Sequence, residues 1–371
     1  MELKVVFLLH DLKIGGAERV TVELARELSR IGCHCEIVTI MGAGPLRELI
    51  PPGVPLRVFH FFPRGRIGKL ISSVFAPFLF LAGAIRLSLY LRRAKPDVLQ
   101  TSLWMGDILG ICSGRLAGIR KIISVQHDTI LSAAKRKRFF LSWATKVVAV
   151  SSAVASFLKE EMGVSQDKID IIYNGIVPEQ FESCRCPIQK PPRLALIGRL
   201  HPLKGQRVLL EALALLKAEH SLSCVLLGSG PDEHFLKKRI AELGLQNVHI
   251  LPETADICPV LKNCDVFVVP SLAEGLGLSI LEAMAAEKVI VASRVGGITD
   301  LLTDQVNAIL VPPGDPVPLS KALLYILQNP RQVSILAQKA RESLLNRPEL
   351  TLEGMSRRYL ALYKELKGFK R

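Results

Sequence analysis

Short, continuous apolar runs alternate with amphipathic stretches along the whole chain. Such runs predict buried strands, and apolar positions recurring every three or four residues predict helices. The predicted strands are 4–9, 35–40, 55–60, 97–101, 121–126, 146–150 and 169–173, then 194–197, 224–227, 248–251, 266–269, 289–292 and 308–311. The predicted helices between them include 17–30, 105–117 and 152–161. This alternation is typical of parallel sheets built from βαβ units.

A polar, proline-containing stretch at 182–193 interrupts the pattern, and we interpret it as an interdomain linker. We therefore expect two doubly wound α/β domains that face each other, at 1–183 and 184–349. Ligands of such sheets bind beyond the carboxyl ends of the strands, so two facing sheets define a cleft. Residues 350–371 form a terminal segment, whose predicted helix at 350–367 carries an apolar stripe of Met355, Tyr359, Leu362 and Leu366.

The composition is that of a folded intracellular protein. A length of 371 residues suits two domains, and hydrophobic and charged fractions of 49% and 22% exclude extensive disorder. The eight cysteines include no C-x-x-C pair, so we expect free thiols in a reducing cytoplasm and no metal site. The first apolar run is too short for a secretory signal, which favours a cytoplasmic location.

The segment from Pro270 to Ala286 holds the most informative motif. A predicted strand ends there in a glycine-rich turn that opens into a helix, with Glu274 before the turn and Glu282 within the helix. The first helical amides, at Leu278 and Ser279, would form an anion site flanked by two carboxylates. A nucleotide diphosphate sugar needs these groups for its phosphates and hydroxyls. The alternative is a core helix with two exposed glutamates.

This motif resembles the E-x7-E signature of retaining glycosyltransferases of family 4, also called group 1, which have the GT-B fold. The resemblance implies two facing Rossmann-like domains, with an acceptor- and membrane-facing domain at 1–183 and a donor-binding domain at 184–349. It also implies that the segment 350–371 crosses back onto the first domain. By the same resemblance, Glu274 positions the donor sugar in catalysis, Glu282 binds the ribose, and Leu278 and Ser279 bind the diphosphate.

In each predicted domain, a further candidate loop follows the first strand. Gly15-Gly16 opens a helix in the first domain, and by resemblance Gly16 approaches the diphosphate. Taken alone, this glycine pair is most often only a turn. In the second domain, Arg199 and Lys204 lie where a strand ends and a helix begins, and two cations there would neutralise a diphosphate leaving group. The alternative is a solvated basic loop.

Three weaker signals complete the predicted site. His127 follows a first-domain strand, and by resemblance it contacts the donor sugar, with Asp128 near it or near the acceptor. Gly228 and Gly230 follow a second-domain strand and resemble a family loop near the nucleotide. Pro252 lies where the family binds the base through backbone atoms, and its missing amide leaves the identity of the base open.

The chain contains no P-loop and no G-x-G-x-x-G, which argues against an NTPase or a dehydrogenase. It also lacks a D-x-D motif, so we expect no metal and no cofactor beyond the nucleotide sugar. The resemblance implies a retaining, metal-independent hexosyltransferase that uses a UDP-sugar, or alternatively a GDP-sugar. Two other interpretations stay open: another GT-B enzyme such as a nucleotide-sugar epimerase, and a non-catalytic sugar- or anion-binding protein.

The net charge of +14 is confined to one part of the chain. Residues 49–159 contain 17 Lys and Arg, three Asp and no Glu, and the remainder is neutral. The same part holds an apolar stretch at 70–91, interrupted by Pro77 and Arg86, and a basic-apolar cluster that begins with Lys135 and Arg136. Apolar surface framed by cations is suited to an anionic lipid leaflet. The alternative is a buried helix with a solvated charged face.

We therefore expect peripheral attachment to the inner face of the cytoplasmic membrane. The expected acceptor is a lipid-linked or membrane-associated saccharide of cell-envelope polysaccharide or glycolipid synthesis, and Lys135 and Arg136 would contact it. Nucleic acid is not an expected partner, because the basic region lacks a nucleic-acid-binding module and lies beside an apolar run.

Overall fold

A computed structural model describes residues 3–61, 65–129, 134–220 and 222–368, with side chains for all of these except 65–77 and 134–137. The chain forms two compact units, one of Met1–Tyr173 with Leu352–Arg371 and one of Asn174–Thr351. Each unit is built around a parallel sheet, as the alternating pattern predicts. The second unit begins before the predicted linker, because the 3₁₀ turn Pro178–Cys184 packs on helices of that unit.

The sheet of the first unit has seven parallel strands. They are β1 (Lys4–Leu9), β2 (His34–Thr39), β3 (Leu56–Val58), β4 (Val98–Ser102), β5 (Ile122–Gln126), β6 (Lys146–Ala149) and β7 (Ile169–Ile171), in the spatial order β3-β2-β1-β4-β5-β6-β7. The helices between them are α1 (Gly16–Arg30), α2 (Gly65–Ala94), α3 (Trp104–Leu116), α4 (Ala134–Leu141) and α5 (Ser152–Glu160). The strand order reverses between β1 and β4, which is where ligands bind in such sheets.

The sheet of the second unit has six parallel strands. They are β8 (Leu194–Ile197), β9 (Cys224–Leu227), β10 (Val248–Leu251), β11 (Val266–Val269), β12 (Val289–Ser293) and β13 (Ile309–Val311), in the order β10-β9-β8-β11-β12-β13. The helices are α6 (Gln206–Leu216), α7 (Glu233–Leu243), α8 (Cys258–Lys262), α9 (Leu278–Ala285), α10 (Ile298–Leu301), α11 (Pro316–Gln328) and α12 (Pro330–Leu345). Here the order reverses between β8 and β11.

The central strands are buried on both faces, which explains their continuous apolar sequences. Every residue of β4, β5, β11 and β12 is buried, since helices cover both sides of a parallel sheet. The predicted strands are thus confirmed, with ends that differ by a residue or two.

The terminal helix α13 (Leu352–Lys367) belongs to the first unit, where it packs on α1. Its Tyr363 is fully buried and its hydroxyl donates a hydrogen bond to the Gln100 side chain. The Nζ of Lys367 lies 2.7 Å from a carboxylate oxygen of Asp97. The predicted return of the terminal segment to the first domain is confirmed.

Candidate functional site

The loops that follow β8 and β11 meet where the strand order of the second unit reverses. The backbone N–H of Leu272 donates to the carbonyl of Leu203 at 2.8 Å, so the two loops are bonded directly. Gly205 has a φ of 71°, and a Cβ on it would lie 1.8 Å from the carbonyl oxygen of Pro270. Only glycine allows this approach, because any side chain would push the two loops apart.

Lys204 and Glu274 form an ion pair across this junction. The Lys204 Nζ lies 2.9 and 2.7 Å from the two carboxylate oxygens of Glu274, and the Ser271 hydroxyl donates to one of them at 3.2 Å. The side chains are 31% and 11% exposed respectively. A cation and a carboxylate from two separate motifs are thus held together and remain accessible to a ligand.

Arg199 lies on the same loop as Lys204 and is exposed. Its backbone carbonyl accepts a hydrogen bond from the Gln206 side chain at 2.9 Å, which fixes the loop and leaves the guanidinium at the surface. His201, on the same loop, has a structural role. Its Nδ1 accepts a hydrogen bond from the backbone N–H of Leu203 at 3.2 Å. Burial, and to a smaller extent the charge of Arg199, lowers the pKa of His201.

Helix α9 begins beside this ion pair. Gly277 precedes it with a φ of 87°, and no side chain caps its first turn. The amides of Leu278 and Ser279, in half-buried residues, therefore lie at the positive end of the helix dipole. Glu282, which we expect to bind ribose, is only 3% exposed and already has an interaction partner. A ribose hydroxyl would have to replace or share that contact.

The loops after β9 and β10 also lie at this end of the second sheet. A Cβ on Gly228 would lie 2.1 Å from the carbonyl oxygen of Gly198, so this glycine packs against the loop after β8. Gly230, predicted to lie near the nucleotide, is on the loop after β9, and Pro252, predicted to lie near the base, is exposed on the loop after β10. The two loops are joined by a 2.6 Å hydrogen bond from the Ser229 hydroxyl to Glu253.

Sequence reasoning missed two parts of this arrangement. The backbone N–H of Gly297 donates to the Glu274 carbonyl at 3.1 Å, and a Cβ on Gly296 would lie 2.1 Å from the same oxygen. The glycine pair Gly296-Gly297, in the loop shortly after β12, was the available signal. Ser271 gave no signal, because its partner is decided by the turn geometry.

In the first unit, Gly15 adopts an extended conformation and Gly16 starts α1, whose first turn has no side-chain cap. The loop follows β1, at the point where the strand order of that sheet reverses. Nearby, burial lowers the pKa of His10, and Asp11 opposes that effect. The glycine pair after β1 opens a helix, as the sequence predicts.

His127 directly follows β5 and is half-buried, while Asp128 is exposed. Beneath them lies the fully buried carboxylate of Asp107, which sequence reasoning also missed. It accepts hydrogen bonds from Thr101 at 2.7 Å, Ser124 at 2.5 Å and Gln126 at 3.0 Å. This network fixes the carboxyl ends of β4 and β5. It therefore also fixes the backbone position of His127, which directly follows β5. The predicted acceptor residues Lys135 and Arg136 lie outside the described side chains.

Within the described ranges, no three His, Cys, Asp or Glu side chains are grouped so that they could hold a metal ion. In the same part of the chain, no helix combines the length and apolar character that crossing a membrane requires.

Solved structures with this architecture match the whole chain. The structure of Anabaena HepE in complex with UDP and glucose superimposes with a TM-score of 0.81 at 21% identity, covering 97% of this chain and 99% of HepE. The two units therefore have the GT-B fold of glycosyltransferases, as predicted.

Two family models match the chain one after the other. The model for glycosyltransferase family 4 matches residues 14–180, and that for glycosyl transferases group 1 matches residues 186–343. The chain belongs to this family of glycosyltransferases.

Two relatives match over most of their length. A 2-deoxystreptamine glucosyltransferase of Streptomyces kanamyceticus is 24% identical over 363 residues, which cover 87% of this chain and 92% of the relative. The UDP-Gal:alpha-D-GlcNAc-diphosphoundecaprenol alpha-1,3-galactosyltransferase of Escherichia coli is 25% identical over 370 residues, which cover 90% of each chain.

Proposed function

We propose that the protein transfers a sugar from a nucleotide diphosphate sugar to a lipid-linked or membrane-associated saccharide, with retention of the anomeric configuration. A UDP-sugar is the favoured donor and a GDP-sugar the alternative. The product belongs to cell-envelope polysaccharide or glycolipid synthesis. The relatives support this choice: HepE was solved with UDP, and the E. coli enzyme is named for a UDP-sugar and a diphosphoundecaprenol-linked acceptor.

The Lys204–Glu274 pair is the observation that carries the proposal. It lies where the strand order reverses, beside the uncapped first turn of α9 and near the exposed Arg199. A diphosphate at this point meets two cations and the positive end of a helix dipole. This arrangement supports a leaving group stabilised by protein cations.

In the proposed reaction the bond between the anomeric carbon and the diphosphate oxygen breaks, and the acceptor hydroxyl attacks the same face. The leaving phosphate accepts the hydroxyl proton, so no separate base is required. Arg199, Lys204 and the amides of Leu278 and Ser279 hold the diphosphate as its charge develops. Glu274 orients the sugar.

Two sets of measurements test this function. A panel of nucleotide sugars is screened for thermal stabilisation, lipid extracts are then tested as acceptors, and the anomeric configuration of the product is determined by NMR. Glu274→Ala should chiefly lower kcat, whereas Glu282→Ala should strongly raise the donor KM. Glu233→Ala is the matched control, because Glu233 forms an exposed 2.7 Å pair with Lys237 in the same unit. Wild-type kinetics in both site variants, or free nucleotide without a transferred sugar, would contradict the proposal.

We further propose that helix α2 docks on an anionic leaflet at the inner face of the cytoplasmic membrane. Phe78, Leu81, Ile85 and Leu89 are 71%, 55%, 49% and 51% exposed, and their spacing places them on one face of the helix. A row of exposed apolar side chains on a basic segment is suited to the interface of an anionic bilayer.

Ile85→Glu should abolish binding to vesicles that contain phosphatidylglycerol, with vesicles of phosphatidylcholine alone as the reference. Ile335→Glu is the matched control, because Ile335 is 50% exposed on α12 of the other unit. Equal vesicle binding by the two variants would refute this docking surface while leaving the sugar-transfer proposal intact.

A further inference from the structure

Lys288 is a buried lysine whose amine contacts a thiol. Its side chain is 1% exposed, and its Nζ lies 3.2 Å from the Sγ of Cys186. Buried lysines are normally paired with carboxylates. In the described part of the chain, however, no carboxylate oxygen lies within 4.0 Å of this amine.

The neighbouring carboxylate is already engaged. The backbone carbonyl of Asp265 accepts a hydrogen bond from the backbone N–H of Val289, next to Lys288. The carboxylate of Asp265 accepts hydrogen bonds from the Arg193 guanidinium at 3.0 Å and from the Arg193 backbone N–H at 2.7 Å. Cys186 is therefore the group that Lys288 faces.

The thiol is accessible although the amine is not. Cys186 is half-buried, so a small oxidant can reach its sulfur from solvent. The other thiol nearby is Cys264, which is 1% exposed and donates to the carbonyl of Val266 at 3.1 Å. Burial raises the pKa of Cys264 to about 12, which keeps it protonated and makes it a poor nucleophile.

We propose that Cys186 and Lys288 are a modification site, at which oxidation of the thiol by a peroxide leads to a covalent bond between Sγ and Nζ. In the first step the thiol attacks the peroxide, the O–O bond breaks, and a sulfenic acid and one water form. The amine of Lys288 gives up one proton to solvent and its nitrogen then attacks the sulfur, the S–O bond breaks, and the hydroxyl leaves with a further amine proton as a second water. One peroxide is reduced, the sulfur is oxidised, and the product is a sulfenamide.

The bond would join two distant parts of the second unit. Cys186 follows the 3₁₀ turn Pro178–Cys184 in the segment that leads into β8, and Lys288 directly precedes β12. This site is independent of the proposed sugar transfer, since it lies at the amino ends of β8 and β12, opposite the loops that follow them.

Peptide mass spectrometry of the full-length protein tests the proposal. After treatment with hydrogen peroxide, the peptides that contain Cys186 and Lys288 should appear as one species whose mass is their sum less two hydrogens. Dithiothreitol should separate them again. A peptide of Cys186 joined to that of Cys264, or oxygen added to Cys186 without any linked peptide, would overturn the proposal.

Three variants make the assignment specific. Cys264→Ser should keep the linked species, because this thiol takes no part in the bridge. Lys288→Met should lose it, whereas Lys262→Met should keep it. Lys262 is the matched lysine because its side chain is exposed while its carbonyl accepts from the Cys186 thiol at 3.4 Å. The wild-type measurement remains decisive even if Lys288→Met does not fold.

Discussion

Replacing Lys204 with alanine should separate the chemical role of this side chain from its role in the fold. The ion pair with Glu274 joins the two loops, but the backbone bond between Leu272 and Leu203 and the close packing of Gly205 join them as well. The variant should therefore fold. What it loses is one of the two cations that we place at the diphosphate.

The expected magnitudes differ enough to be told apart. A partly exposed ion pair contributes at most about 1 kcal/mol to stability, which for a domain of this size is a fall in Tm of about 2–4 °C. Removal of one group that stabilises developing charge lowers kcat by about 10²–10³, or about 3–4 kcal/mol in the transition state. Activity should thus fall far more than stability.

The assay is the rate of sugar transfer with the donor that the thermal screen identifies, together with a thermal melt of each variant. Lys237→Ala is the control, because Lys237 also forms a 2.7 Å pair with a glutamate but is 60% exposed on α7. It should stay within about twofold of wild type, as is usual for an exposed pair. The kcat of the double variant Lys204→Ala/Glu274→Gln should be only slightly lower than that of the less active single variant, because the effects of residues that act as a unit are not additive.

A kcat/KM of Lys204→Ala close to that of the control would refute the reasoning. So would a loss of activity fully accounted for by unfolding at the assay temperature. Either result would mean that the pair only joins the two loops.

Three further changes probe the framework of the site. Gly205→Ala should unfold at clearly lower temperature in a thermal melt, because its positive φ costs about 1–2 kcal/mol and the added Cβ meets a carbonyl oxygen. Tyr363→Phe should lower the free energy of unfolding by about 1–2 kcal/mol in a urea titration, because it leaves a buried acceptor unsatisfied. The pKa of Asp97 is lowered in the folded protein, since burial, which would raise it, is outweighed mainly by the hydrogen bond from Lys367. A depressed pKa contributes stability above the unfolded value of about 3.9, and this stability is lost as the pH falls through the folded value. Amide exchange in α13 should accordingly increase below about pH 4, and Asp97→Asn should weaken that pH dependence.

Each of these has a matched control. Gly32 has a φ of 91°, and no atom lies within 4 Å of a Cβ added to it, so Gly32→Ala reports the energetic cost of the positive φ alone. An equal fall in Tm for Gly205→Ala and Gly32→Ala would contradict the close approach of Gly205 to Pro270. Tyr325→Phe removes a hydroxyl from a 40% exposed ring and should change nothing measurable. Amide exchange in α12, which lies in the other unit, provides the reference for the acid titration.

The strands and the motif positions were predictable from the sequence. A central strand of a parallel sheet is buried on both faces, so its residues are apolar throughout and the run is visible in the chain. Glycine-rich turns after such runs then identified the loops that carry Lys204 and Glu274. The resemblance of the E-x7-E segment supplied the family, which both family models confirm.

The tertiary structure alone decided which of these loops meet. Lys204 and Glu274 are separated by 70 residues, and their contact follows from the placement of β8 beside β11 in the sheet. No pattern in the sequence indicated that Asp107 and Glu282 are buried or that Cys186 is half-buried. Apolar periodicity records the environment of each residue along its own element, whereas strand order and side-chain partners depend on long-range pairing that no local pattern encodes.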